Sequence, residues 1–79
     1  MKSPVWVYES PVGVFVIRYS PSKRKYETIF NDDCVAEYDD PAACADDVRA
    51  QVTGVDEWDN FVFRRGNPPS DLSEWRRIQ

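Results

Sequence analysis

Residues 5–20 read VWVYESPVGVFVIRYS, two runs of β-branched and aromatic residues on either side of a Ser-Pro-Val-Gly segment. Successive side chains of such a run point to opposite faces of a strand. Proline fixes φ and glycine accepts a positive φ, so the segment between the runs is typical of a tight turn. The pattern predicts an antiparallel hairpin with strands over residues 5–9 and 13–19, the second of them central in the sheet.

The hairpin is expected to continue as a meander. The polar residues 20–25 predict a loop, and residues 26–30 predict a third strand. Residues 31–33 predict a short turn, after which residues 34–38 predict a fourth strand. The first half of the chain is therefore expected to form a four-stranded antiparallel sheet.

The hydrophobic period changes after Tyr38. Asp39-Asp40-Pro41 is typical of a helix start, because an aspartate caps the free amides and proline has no N–H to lose there. Gly54 is the expected end. An amphipathic helix is predicted whose inner stripe is Pro41, Cys44, Ala45, Val48 and Val52, with Asp46, Asp47, Ala50 and Gln51 on its other side.

The last third of the chain carries weaker signals. Residues 55–59 predict a loop pinned by Trp58, residues 61–63 a short fifth strand, and residues 71–75 one helical turn opened by an Asp-x-x-Glu spacing. The predicted fold class is α+β: a four-stranded antiparallel β-meander, five-stranded if residues 61–63 pair, packed against one α-helix. Residues 1–79 are expected to be a single small domain.

Both faces of the predicted sheet are apolar. Trp6 and Tyr8 alternate with Val5 and Val7, and the second strand is apolar on both sides as well. One helix covers only one face. The other face is expected to be covered by the C-terminal segment or by a partner, a homodimer included, or to stay partly exposed. The first of these interpretations has the core completed by Trp58, Phe61, Phe63 and Trp75.

Several function classes lack the residues they need. The chain contains no histidine, the commonest acid/base and metal ligand at neutral pH, and its two cysteines do not have the spacing of a zinc site. Cys34 and Cys44 are expected to be reduced thiols, with a single bridge between them as the alternative. The sequence predicts no enzyme, no catalytic residues, no cofactor and no metal. The lack of a membrane-span-length apolar run or signal-peptide pattern predicts a cytoplasmic protein without membrane contact.

Charge is distributed unevenly along the chain. The segments before, within and after residues 27–59 carry net charges of +4, −10 and +2, although the whole chain carries only −4. The middle segment holds Arg49 as its one cation and eleven carboxylates. These are Glu27, Asp32, Asp33, Glu37, Asp39, Asp40, Asp46, Asp47, Asp56, Glu57 and Asp59. Adjacent carboxylates on a strand or helix point apart, and no calcium-loop pattern is present, so neither a catalytic dyad nor a metal site is predicted.

Two interpretations of this acidic segment remain open. In the first, the carboxylates keep a small apolar domain in solution and cap one helix. In the second, they form an ordered negative patch that enters a cationic groove built for a phosphate backbone. The second interpretation predicts a partner-binding site of ten residues: Asp32, Asp33, Glu37, Asp39, Asp40, Asp46, Asp47, Asp56, Glu57 and Asp59. Its partner would be a basic nucleic-acid-binding protein or complex.

The alternative function places the contact on a basic loop. Lys23, Arg24 and Lys25 lie beside Tyr26, so a small nucleic-acid-binding or regulatory module could use these four residues. Direct binding to nucleic acid is the less favoured hypothesis, because proteins that neutralise phosphates carry a cationic excess.

Three segments carry a resemblance to known proteins. YESPVGVFVI (8–17), YDDPAACADDV (38–48) and VTG through WD (52–59) look like small proteins of bacteria and their mobile elements. The order of strands before an Ala-rich helix is also similar to AP2-type DNA-binding domains, which use a basic, aromatic sheet. In size, acidity and lack of catalytic residues the chain resembles the anti-CRISPR proteins of phages and prophages. That resemblance implies a non-enzymatic inhibitor in a bacterial host cell that blocks DNA binding by a CRISPR surveillance complex.

Overall fold

The described residues form one five-stranded antiparallel sheet with one main helix. The computed structural model describes residues 4–79. Four strands follow one another as a meander, β1 (Val5–Ser10), β2 (Gly13–Ser20), β3 (Lys25–Phe30) and β4 (Asp33–Tyr38). The spatial order is β4-β3-β2-β1-β5, with β5 (Arg76–Arg77) beside β1. The predicted α+β class is confirmed, and the sheet has five strands.

Turn chemistry fixes the register of two hairpins. In the β1–β2 turn, the Ser10 hydroxyl accepts from the amides of Val12 and Gly13 at 3.2 and 3.0 Å. A side chain at position 13 would place Cβ 2.6 Å from Phe30 Cζ, so only glycine fits there. In the β3–β4 turn, Asn31 and Asp32 both have positive φ, 48° and 73°. That pair is the mark of a type I′ turn, whose twist matches the twist of the flanking strands.

Helix α1 (Pro41–Ala50) begins where the sequence predicts it and ends earlier. The Asp40 carboxylate accepts from the Ala42 amide at 2.9 Å, which is the expected N-cap. The end is at Gln51, which adopts a left-handed φ of 57°, and not at Gly54. Val52 therefore leaves the helical stripe and is 62% exposed, so its predicted inner position was wrong.

The main core cluster lies between the sheet and α1. Phe15 and Ile17 of β2 pack there with Cys44 and Val48 of α1, and Trp58 and Trp75 complete the cluster. Residues 56–59, predicted as a loop, form a one-turn helix α2 (Asp56–Asp59) that buries Trp58. The Trp58 indole N–H donates to the Val48 carbonyl at 2.9 Å, which satisfies its polar atom.

The C-terminal aromatic residues complete the core on a different face from the one expected. They pack on the Phe15 face, which α1 also covers, whereas they were expected to cover the opposite face. On that opposite face the paired strands present Val5, Val7, Val14, Val16 and Ile29. Helices α1 and α2 pack on the Phe15 face, whereas on this second face Val7 and Ile29 are buried and Val14 is exposed. We call it the open face.

The predicted strand over residues 61–63 was wrong. The Phe61 and Phe63 rings meet edge-to-face at 5.0 Å and both contact Trp58, so aromatic packing holds this segment away from the sheet. The fifth strand is instead β5, which follows a 3₁₀ turn (Leu72–Glu74) with Asp71 as its N-cap. Within residues 4–79, no helix combines the length and apolarity needed to cross a bilayer.

Candidate acidic interaction surface

Half of the predicted carboxylates lie along one edge of the sheet. Strand β4 is the last strand on its side, so its outer edge has no neighbour among the described strands. Asp32 precedes the strand and Asp33 is its first residue. Glu37 lies within the strand, and Asp39 and Asp40 follow it. We call these five residues the acidic edge. A six-residue strand is about 17 Å long, so the acidic edge is an interrupted row, with two carboxylates at the start of the strand and three towards its end.

A second group of carboxylates surrounds a depression at the start of this edge. Asp33, Asp56 and Glu57 line it together with Asn31, Val35 and Gly54, and its volume is about 390 Å³. We call this group of three carboxylates the acidic depression. The fold brings them together because the β3–β4 turn lies beside the start of α2. More than twenty residues separate Asp33 from Asp56 in sequence, so no local sequence pattern predicts that they lie close together.

Five of the ten predicted residues are held by partners within the chain. Lys23 lies 3.3 Å from Glu37, and Lys25 lies 2.6 Å from Asp39. Asp40 caps α1, and the Tyr38 hydroxyl donates to Asp47. Asp59 accepts from the Thr53 amide and hydroxyl and from the Gly54 amide, all within 2.9 Å. These carboxylates organise local structure whatever else they contact.

The remaining five carboxylates have no such partner. Asp32, Asp33, Asp46, Asp56 and Glu57 are all exposed. Within the part of the chain that the structure describes, none of them forms an ion pair or a side-chain hydrogen bond. An anionic side chain without an internal partner keeps its charge available to a cationic ligand. Three of these five make up the acidic depression.

The basic loop of the alternative hypothesis is largely neutralised. Lys23 contacts both Glu27 and Glu37, and these contacts raise its pKa through hydrogen bonds to both carboxylates. Lys25 pairs with Asp39, and Tyr26 packs its ring on Tyr19 at 5.1 Å. Arg24 makes no ion pair with any residue from 4 to 79. One of the three predicted cations is thus left to meet a phosphate.

The structure adds an ion network that the sequence did not reveal. Glu27 is buried on the open face, with 8% of its side chain exposed, and lies 3.6 Å from Arg18 and 3.2 Å from Lys23. The hydrogen bond from Lys23 lowers the pKa of Glu27. Arg18 and Glu27 are directly opposite each other on β2 and β3, so the strand register, once known, predicts this ion pair.

Positive charge gathers on the side of the sheet far from β4. Arg76 and Arg77 form β5, four strand spacings or about 19 Å from β4. Arg64 and Arg65 line a separate groove with Pro11. The acidic block and the C-terminal basic block are therefore separated in space, with β4 at the negative end and β5 at the positive end. The N-terminal basic block is not separated, because Lys23 and Lys25 pair with carboxylates of the acidic block.

No three metal-ligating side chains among residues 4–79 form a group that could hold a metal ion. Comparison of this chain with protein-family models, with curated proteins and with solved structures gives no match.

Proposed function

We propose that this protein is a non-enzymatic, protein-binding inhibitor. Its acidic edge and acidic depression enter the cationic, nucleic-acid-binding groove of another protein. One observation carries the proposal: Asp33, Asp56 and Glu57 are exposed, line one depression and have no internal partner among the described residues. A carboxylate patch used only for solubility has no need to converge in this way.

The dimensions of the acidic edge support mimicry of a nucleic acid. A DNA strand carries one phosphate per 3.4 Å of helix axis, so the two groups of carboxylates at the ends of β4, a strand about 17 Å long, are separated by several phosphate spacings. Lys and Arg side chains bind carboxylate and phosphate oxygens by the same charge-assisted hydrogen bonds. A small rigid fold that presents such a row can compete for the groove without catalytic groups or a cofactor.

The specific partner proposed is a CRISPR surveillance complex in the cytoplasm of a bacterial host. This choice rests on the resemblance in size, acidity and lack of catalytic residues to anti-CRISPR proteins. Guide-loaded complexes hold their target in a positively charged channel, which is the kind of surface that an acidic protein can occupy. Inhibition would then consist of blocking target DNA from that channel.

A competition assay tests the proposal. Purified surveillance complex is mixed with fluorescent target DNA and increasing amounts of this protein, and bound DNA is read by anisotropy. We expect DNA binding to fall in proportion to protein bound, with weaker inhibition at higher ionic strength because exposed charges are screened. Normal DNA binding when the complex is saturated with the protein would contradict the mechanism.

Matched charge reversals separate the acidic depression from bulk charge. Asp56→Lys and Glu9→Lys each change the net charge equally, but Glu9 lies on β1 and pairs with Arg76 at the other side of the sheet. We expect Asp56→Lys to weaken inhibition by about fivefold, roughly 1 kcal/mol, and Glu9→Lys to leave it unchanged. Equal losses would mean that net charge, and not placement, is responsible. Direct salt-dependent binding of DNA to the free protein, lost on changing Lys23–Lys25 to alanine, would favour the basic-loop alternative.

A further inference from the structure

A groove on the basic side of the molecule has no role in the proposed inhibition. Phe61, Val62 and Phe63 line it with Pro11 of the β1–β2 turn and with Arg64 and Arg65. Its volume is about 460 Å³, most of its lining is apolar, and it is open to solvent along one side. The Val62 side chain is 76% exposed, more than any other large hydrophobic residue described. Such a groove is the form of surface that accepts a side chain of another protein.

The backbone of the groove is held in place before anything binds. The Gln51 side-chain amide donates to the carbonyls of Trp58 and Phe61 at 2.8 and 2.7 Å. The Phe63 ring meets the buried Trp58 ring at 90° and 5.5 Å. These contacts fix both ends of residues 58–63 to the core. A preformed groove reduces the entropy lost on binding and so favours a specific partner.

The charges at the groove define its occupant. Arg64 and Arg65 are exposed, and neither makes an ion pair with any residue in the described range 4–79. We propose that this groove docks a segment of another protein that carries an aromatic or aliphatic side chain flanked by carboxylates. The apolar side chain fills the groove, and the carboxylates contact the two arginines.

Titration with short peptides followed by ¹⁵N NMR tests the proposal. The probe is the blocked peptide Glu-Asp-Phe-Asp-Glu, with Lys-Lys-Phe-Lys-Lys and Glu-Asp-Ser-Asp-Glu as matched controls. We expect the first peptide to shift the amide signals of Val12 and residues 61–65 in a saturable way. Both controls should bind about tenfold more weakly, a loss of roughly 1.4 kcal/mol. Absence of saturable shifts, or equal binding of either control, would overturn the proposal.

Variants test the charge and the apolar wall separately. Arg64→Glu combined with Arg65→Glu, and Val62→Ser alone, should each reduce peptide affinity by about tenfold. Arg49→Glu, an exposed arginine on α1, is the control and should leave affinity unchanged. All these side chains are exposed, so dispersed spectra are expected to confirm an intact fold.

Two other occupants give distinct results. A concentration-dependent dimer mass in light scattering, abolished by Arg64→Glu with Arg65→Glu, would assign the groove to a second copy. Phenylacetate binding as tightly as the acidic peptide would assign it to small carboxylic acids. Either result would overturn the docking of a partner segment. Neither result bears on the acidic edge, so the inhibitor proposal stands or falls separately.

Discussion

At the residue scale, the contribution of the buried Glu27 carboxylate to stability depends on pH. Its pKa is lowered by the hydrogen bond from Lys23, so its stabilising contribution is present at neutral pH and is lost as the pH falls through the lowered value. The pKa of Lys23 is raised, so at alkaline pH the ion pair with Glu27 is lost only above the pH at which a lysine ordinarily loses its proton.

We expect Glu27→Gln to lower the free energy of unfolding at pH 7 by about 1 kcal/mol, because the two cations remain half-exposed and can be solvated. The difference from the parent protein should shrink progressively as the pH falls below the ordinary range of a glutamate and through the lowered pKa of Glu27, where the parent carboxylate becomes protonated as well. Urea unfolding at several pH values measures it. Glu9→Gln, in an exposed pair, is the control and should have little effect at any pH. A difference that stays constant as the pH is lowered through the acid range would show that Glu27 acts through packing.

At the element scale, the turn between α1 and α2 depends on a carboxylate that the sequence assigned to partner binding. Asp59 accepts three hydrogen bonds from Thr53 and Gly54, which closes the connection between the two helices. We expect Asp59→Ala to destabilise the fold by about 1–3 kcal/mol, since it leaves these donors without their acceptor. Asp56→Ala, on the same helix and exposed, should change stability by less than about 0.5 kcal/mol. Thermal unfolding of both variants measures the contrast, and equal effects would contradict a structural role for Asp59.

The sequence predicted elements well wherever local chemistry decided them. The hairpin turns and the Asp40 cap depend on residues that are neighbours in the chain, and all of them are present. The end of α1 was mistaken because Gln51 adopts a left-handed conformation that Gly54 adopts more easily. Its side chain bonds to the carbonyls of Trp58 and Phe61, and no local pattern predicts these contacts. The predicted position of the fifth strand was wrong because of non-local contacts too, since aromatic packing on Trp58 overrode the strand propensity of residues 61–63.

At the scale of the whole molecule, the order of strands places the acidic segment and the basic C-terminal segment at opposite edges of the sheet. The acidic middle of the chain lies at β4, and the basic C-terminal segment supplies β5 at the opposite edge. Sequence identified the sign of each block. It did not separate carboxylates with internal partners from free ones, because that division depends on contacts such as Lys25 with Asp39 and Tyr38 with Asp47. The convergence of Asp33 with Asp56 likewise required the tertiary fold.

The sheet also separates the two thiols, which gives a prediction for the molecule as a whole. Cys34 is exposed on the open face, whereas Cys44 is buried under α1 on the other face, so a bridge between them would require the sheet to be crossed. Partial desolvation and the Glu27 carboxylate raise the pKa of Cys34, and burial raises that of Cys44.

We therefore expect a disulfide reagent to label one thiol in the native protein, more slowly than it labels a free thiol, because the thiolate is the reacting form. The second thiol should react only after unfolding. Cys34→Ser should remove the native reaction, and Glu27→Gln should accelerate it by lifting the repulsion of the thiolate. Mass spectrometry after labelling counts the modified thiols. Two rapidly labelled thiols in the folded protein would mean that α1 does not protect Cys44.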